Sequence, residues 1–308
     1  MTPGPPVQGE ECMKTIVSDF TSKGVRCAGT LYLPDGKGRP PVVIMAHGLG
    51  AERAFRLPAF AARFAAAGIA AYVFDYRNFG DSDGEPRNLI SPRRHIADWL
   101  AAIAHVRTLE AVDVSRVALW GSSFSGGHVV VAAAKSKGIA CIVSQVPFVN
   151  GLSLFRLFSF SFLMSATING IRDLLRILTF RKPHLVPIVG RPDTFALMNT
   201  PDSWDGYTGL IPKDSKWKNE CPVRICLEII SYRPIAYAGG VKCPALFVIA
   251  EQDSLVDWRD VLKTADRIQA SEKMVLASGH FEPYTGELFE KVSARETGFL
   301  RKVLSVDG

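Results

Sequence analysis

The sequence predicts an α/β fold: a mainly parallel sheet covered by helices, with one helical insertion. Three observations predict it. Short apolar runs bounded by Gly and Pro alternate with longer runs of helical spacing. That rhythm breaks between residues 148 and 238 and then resumes. The chain has 308 residues, 47% apolar and 21% charged, enough to bury one large core.

The elements follow in order. "TIVSDF" (15–20) and "GVRCAGTLYLP" (24–34) alternate apolar and polar residues, which predicts an opening antiparallel pair. "PVVIMAHG" (41–48) is a continuous apolar run, as a central strand buried on both faces requires. "AFAARFAAAG" (59–68) is an Ala-rich helix with a Gly stop, and "AAYVFDYR" (70–77) the next strand. "SPRRHIADWLAAIAHVRTL" (91–109) opens on a Ser cap with Pro in the first turn, and spaces Ile96, Leu100, Ile103 and Val106 helically. "RVALW" (116–120) is a strand, "SGGHVVVAAAKS" (125–136) a helix and "IACIVSQVP" (139–147) a strand. After the break come strand "ALFVIAEQD" (245–253), helix 256–270, strand "KMVLASG" (273–279) and helix 287–304. The division is therefore core 1–147, helical insertion 148–238 and core 239–308.

Composition narrows the function. The net charge of +6 comes from scattered Lys and Arg, without the basic stripe and interleaved aromatics of a nucleic-acid surface. Cys12, Cys27, Cys141, Cys221, Cys226 and Cys243 form no CxxC and have no nearby His pair, so neither zinc nor a disulfide framework is expected. The opening "MTPGPPVQGEE" lacks the order of a signal peptide, and a cytoplasmic location with reduced thiols is the expectation. Residues 152–171 are mostly apolar, but Arg156 and several polar residues predict a buried or amphipathic helix without stable membrane insertion.

"LWGSSFSGGH" (119–128) holds three candidate nucleophiles. At a sharp strand-to-helix turn, the residues two before and two after the nucleophile approach each other and must be small. Ser122 would bring Trp120 against Phe124. Ser125 has small flanks but lies inside the helix. Ser123 has Gly121 and Ser125 as flanks and follows the strand end directly, so Ser123 is the candidate. A serine hydroxyl needs a base, and the base an orienting carboxylate. Asp253 and His280 each follow a strand at the carboxyl edge of the sheet, and they come in the chain order Ser, Asp, His. In "MAHGLGAE" (45–52), Gly48 and Gly50 let the backbone turn its amides inward, so Leu49 is one candidate oxyanion donor and Phe124 the other. His47 is read as bracing that loop. Asp75, Asp81 and Asp83 lack a calcium-loop register and are read as a hydrogen-bonded surface loop.

Together "HGLG", "DYRNFGDSDGEPR", "GSSFSGG", "AEQDSLV" and "GHFEPY" resemble the α/β-hydrolase superfamily. Within it they are similar to a dienelactone-hydrolase-like, peptidase S15-like branch with microbial carboxylesterases and fungal polyketide thiohydrolases and transferases. One departure is Ser125 where the common G-x-S-x-G pattern has Gly. The resemblance implies Ser123 as nucleophile, His280 as base, Asp253 as orienting acid, Leu49 and Phe124 as oxyanion donors, a lid at the insertion, and neither metal nor cofactor. The expected substrate is a small ester or thioester. In the insertion, Phe155, Phe158 and Phe162 are expected to favour an apolar acyl group, with Trp204, Tyr207 and Trp217 at the entrance. An acyl carrier protein partner and a homodimer stay open. The alternatives are an acyltransferase with the same residues and a non-catalytic binding module.

Overall fold

A computed structural model describes residues 13–36 and 38–306; Cys12 and the opening segment lie outside them. The chain begins with β1 (Met13–Val17), β2 (Phe20–Ser22), β3 (Val25–Cys27) and β4 (Gly29–Pro34). The expected opening pair is divided in two: β1 pairs antiparallel with β4, and β2 with β3 as a separate hairpin. Next come β5 (Pro41–Ala46), α1 (Leu57–Ala66), β6 (Ala70–Phe74), α2 (Pro92–Val106), β7 (Asp113–Ser122), α3 (Phe124–Lys135) and β8 (Ile139–Gln145). The segment that follows holds α4 (Leu154–Leu157), α5 (Phe160–Leu178), β9 (Leu185–Val186), α6 (Ser203–Thr208), β10 (Cys221–Pro222) and α7 (Ile225–Glu228). The chain closes with β11 (Ala245–Ala250), α8 (Trp258–Asp266), β12 (Ser271–Leu276) and α9 (Gly286–Leu304).

Eight strands form one sheet in the order β1-β4-β6-β5-β7-β8-β11-β12. From β6 to β12 every pairing is parallel. The apolar runs explain the interior: β5, β6 and β11 are buried at every residue. Alternate side chains serve two cores. Val42 and Ile44 pack with Trp99 of α2 and Val129 of α3. Val43 and Met45 pack with Phe60 of α1 and Phe299 of α9 on the other face.

Ser91 stands at the predicted start of α2 but does not cap it. Its hydroxyl instead donates to Glu228 Oε2 of α7 at 2.7 Å; a tertiary partner has displaced the local one. Of the three acids in the 75–83 loop, Asp81 and Asp83 are exposed, whereas Asp75 is buried and holds Arg53 through Nη1 at 2.8 Å. The expected insertion end at 238 falls inside the 3₁₀ turn Pro234–Gly240, which packs on α3.

Glu296 of α9 is fully buried, with Oε2 accepting from Trp120 Nε1 at 2.9 Å and Oε1 unpartnered. Burial, opposed by the Trp120 bond, pushes its carboxyl up to about 8. The unfolded chain releases this proton near pH 4.5 and the folded chain only near 8, so this site's contribution to stability is complete below pH 4.5 and declines as pH rises to about 8. Glu296→Gln keeps an acceptor for Trp120 and removes the titration. Urea midpoints at pH 5 and 8.5 should show the variant losing less stability over that interval than the parent protein, by more than about 1 kcal/mol.

Candidate active site

The turn from β7 into α3 is built on missing side chains. A Cβ on Gly121 would lie 2.3 Å from the Ser125 carbonyl oxygen, and one on Gly127 2.0 Å from that of Phe148. Ser123 occupies the apex with φ 55° and ψ −119°, a backbone that non-glycine residues rarely adopt. The turn is held by Ser123 N–H donating to Gln145 O at 2.8 Å and Phe148 N–H to Ser123 O at 2.9 Å. Among the three serines only Ser123 is partly exposed. Ser122 is buried in the strand, and Ser125 is buried with its hydroxyl 2.8 Å from Tyr76 Oη.

His280 Nε2 lies 3.0 Å from Ser123 Oγ, and His280 Nδ1 lies 2.6 Å from Asp253 Oδ2. An ionised carboxylate only accepts, so Nδ1 carries the proton and the Nε2 lone pair faces the serine hydroxyl. Asp253 Oδ1 accepts from Leu255 N–H at 2.8 Å and Val256 N–H at 2.9 Å, which pins the carboxylate. The side chains of Asp253 and His280 are each only 2% exposed, so the pair works in a poorly screened setting.

The 47–50 loop crosses directly over the serine: a Cβ on Gly48 would meet Ser123 Cβ at 3.0 Å. Three bonds hold its carbonyls. His47 Nδ1 donates to Gly48 O at 3.1 Å, Tyr207 Oη to Leu49 O at 3.1 Å and Trp217 Nε1 to Gly50 O at 2.8 Å. The Gly48–Leu49 peptide is planar and trans, so fixing the Gly48 carbonyl also fixes the direction of the Leu49 N–H. His47 is buried, and desolvation, opposed by its Gly48 bond, takes it down to about 3; it is neutral at physiological pH. Phe124 opens α3, where a backbone N–H has no intrahelical acceptor.

Beside Ser123 lies a narrow cavity of about 30 Å³, lined among others by Leu49, Phe55, Met198, Tyr207, Leu210 and Tyr284. It has room for about two water molecules. A second, apolar cavity of about 60 Å³ shares Leu49 with it and is lined by Phe158, Phe162, Leu163, Leu197 and Ile225. A wide surface depression of about 820 Å³ around Asp81, Arg87, Lys182 and Lys216 contains none of Ser123, Asp253 and His280.

The expected substrate residues divide. Phe158 and Phe162 stack at 5.0 Å and line the apolar cavity. Phe155 does not: 58% of it is exposed, because α4 ends after one turn and leaves it on the outside. Trp204 lies under the Arg191 guanidinium, 5.6 Å from ring centre to Cζ, and lines neither cavity. Tyr207 and Trp217 are clamps on the glycine loop. Met198, Leu210, Phe55 and Tyr284 went unread in the sequence, although Tyr284 stands in the quoted "GHFEPY". Helix α6 is pressed onto this site: a Cβ on Gly206 would be 2.4 Å from the Phe281 ring, and Asp202 Oδ1 accepts from Ser254 Oγ at 2.6 Å.

No group of three or more His, Cys, Asp or Glu side chains suited to a metal occurs among the described residues, and Cys27, Cys141, Cys221, Cys226 and Cys243 form no disulfide. No helix among the described residues is long and apolar enough to cross a membrane.

Comparison with known proteins agrees with this architecture. The quorum-quenching protein AidA of Acinetobacter baumannii is 39% identical over 93% of this chain and 94% of its own. The polyketide transferase af380 of Aspergillus fumigatus is 26% identical over 92% of this chain and 96% of its own. The crystal structure of the α/β-hydrolase GrgF from Penicillium superposes with a TM-score of 0.80 at 23% identity, over 95% of this chain and 99% of that one. Residues 39–280 match the Hydrolase_4 family, described as serine aminopeptidase, S33. The chain belongs to that family and has the α/β-hydrolase fold.

Proposed function

We propose that the chain is a serine hydrolase that cleaves an ester or thioester of an apolar acyl compound. The observation that carries this reading is the relay Ser123–His280–Asp253 at 3.0 and 2.6 Å. Ser123 Oγ attacks the carbonyl carbon while His280 Nε2 takes its proton, and Asp253 stabilises the imidazolium. The carbonyl oxygen becomes an oxyanion facing the Leu49 and Phe124 amides. His280 then protonates the departing alcohol or thiol, leaving an acyl-enzyme. Water, deprotonated by His280, attacks the acyl carbon and releases Ser123 and a carboxylic acid. The apolar cavity behind Leu49 supports an apolar acyl group, because burying it contributes about 25 cal/mol per Å². The space beside Ser123 is too small for such a group, so the part of the helical insertion around Met198 is the segment that opens as a lid to admit it, while Tyr207 stays on the Leu49 carbonyl.

A second reading is favoured by the transferase relative: an alcohol takes the place of water and an ester leaves. Product analysis separates the two. Purified protein is incubated with p-nitrophenyl and N-acetylcysteamine esters of short and medium acids, with and without an alcohol acceptor. Free acid in both cases supports the hydrolase. Ester formed in place of acid supports the transferase, and turnover of no member of the panel contradicts both. The quorum-quenching relative adds small microbial signal compounds to that panel.

The clamp on the loop gives a graded test. Tyr207→Phe removes the bond to the Leu49 carbonyl and leaves the ring packed against Phe55 and Trp217. Losing an oxyanion donor outright costs about 10²–10³-fold; loosening its support should lower kcat about tenfold with KM within about twofold. A change confined to KM would make Tyr207 a substrate contact instead.

A further inference from the structure

We propose that the outer face of α5 seats the protein on an anionic lipid bilayer. Phe160, Met164, Ile168, Ile171, Leu175 and Leu178 follow one another at intervals of four and three, which aligns them in one stripe along the helix. All six point outward: Phe160 is 78% exposed, Leu178 66% and the remainder between 44% and 56%. Phe180, just beyond the helix, is 99% exposed. The stripe runs roughly 28 Å, the length of a 19-residue helix. An exposed apolar patch of this extent marks a contact surface.

Charge identifies the partner. From residue 154 to residue 182 the chain carries Arg156, Arg172, Arg176, Arg181 and Lys182 and a single acid, Asp173. Asp173 is fully buried, accepting from Arg224 Nε and from His184 N–H at 2.7 Å each, so it offsets nothing at the surface. Arg156 is taken by Asp257 and Asp260. Arg172, Arg176, Arg181 and Lys182 therefore gather at the C-terminal half of an apolar stripe, the pattern of a helix lying in the headgroup layer of an anionic membrane. Anionic headgroups match these basic residues. The helix lies on the bilayer and does not span it. Its inner side, with Phe162, Leu163 and Ala166, lines the apolar cavity beside Leu49. On the hydrolase reading proposed above, lipophilic esters dissolved in the bilayer would lie one helix away from that cavity; the docking itself does not depend on that reading.

The test is co-sedimentation of the full chain with vesicles of phosphatidylcholine alone and of phosphatidylcholine with about one-third phosphatidylglycerol. Binding is expected to the mixed vesicles, to weaken at high salt, and to be far lower on neutral ones. Each basic residue near the surface contributes about a fivefold factor in partitioning. Arg172→Glu with Arg181→Glu, and separately Leu175→Glu with Leu178→Glu, should each lower partitioning at least about tenfold. Circular dichroism and urea midpoints should stay unchanged, since these side chains face solvent. The readout is binding, so an inactive protein does not affect it. Absence of binding to the mixed vesicles, or binding that both variants retain, overturns the proposal. So does a dimer in sedimentation equilibrium that Leu175→Glu dissociates, because the stripe would then face a second copy.

Discussion

Ser123→Ala is expected to lower kcat by roughly 10⁴–10⁶-fold while leaving the urea midpoint within about 1 kcal/mol of the parent. The first half follows from the relay: with Oγ gone, His280 Nε2 has no hydroxyl to activate and no acyl-enzyme forms. Residual turnover comes from the Leu49 and Phe124 amides and from binding alone. The second half follows from the backbone. The turn is held by main-chain bonds from Ser123 N–H and Phe148 N–H, which alanine keeps, and the hydroxyl bonds only His280. Ser125→Ala is the matched control. Ser125 is buried against Tyr76 and faces away from the cavity, so its loss should change stability modestly and kcat little. The opposite pattern would move the nucleophile two residues along the chain.

Asp253→Asn carries the second largest effect, a loss of roughly 10⁴-fold in kcat with little change in structure. The Asp253 carboxylate accepts two backbone N–H groups on Oδ1 and the imidazole Nδ1–H on Oδ2. The amide of Asn can still accept from the loop through its oxygen, but its NH₂ then faces Nδ1. The imidazole must present a lone pair there and carry its proton on Nε2, pointing at Ser123. In that tautomer it cannot accept the serine proton. Steady-state kinetics at rising pH test the assignment. The variant should regain rate at alkaline pH, where the serine hydroxyl ionises more readily without a base, whereas a variant merely damaged in folding should not.

The strands that position these residues were legible because burial on both faces leaves a plain mark: β5, β6 and β11 are uninterrupted apolar runs. The place of Ser123 at the apex of the turn was legible by sterics, since the 2.3 Å approach behind Gly121 is the crowding that excluded Trp120 and Phe124 as flanks. Tyr207 and Trp217 were expected at the entrance, but the bonds by which they hold the loop over the site were not legible. Tyr207 reaches Leu49 across 158 positions and Trp217 reaches Gly50 across 167, and no local periodicity encodes such pairs. Helix α6 has only six residues, too few for an apolar face to declare its direction. The same limit misplaced Phe155: α4 ends at Leu157, so helical phase cannot be carried from Phe155 to Phe158 and Phe162. Ser91 shows the converse, a clear cap signal overruled by Glu228 from 137 positions away.

The central claim is that Ser123 is an activated nucleophile. Its most direct test is intact mass after exposure of the purified protein to a fluorophosphonate, followed by peptide mapping of the adduct. One adduct per chain, on Ser123, lost in Ser123→Ala and slowed in Asp253→Asn, is the expected result. A folded protein that takes up no label, or takes it on Ser122 or Ser125, would contradict it.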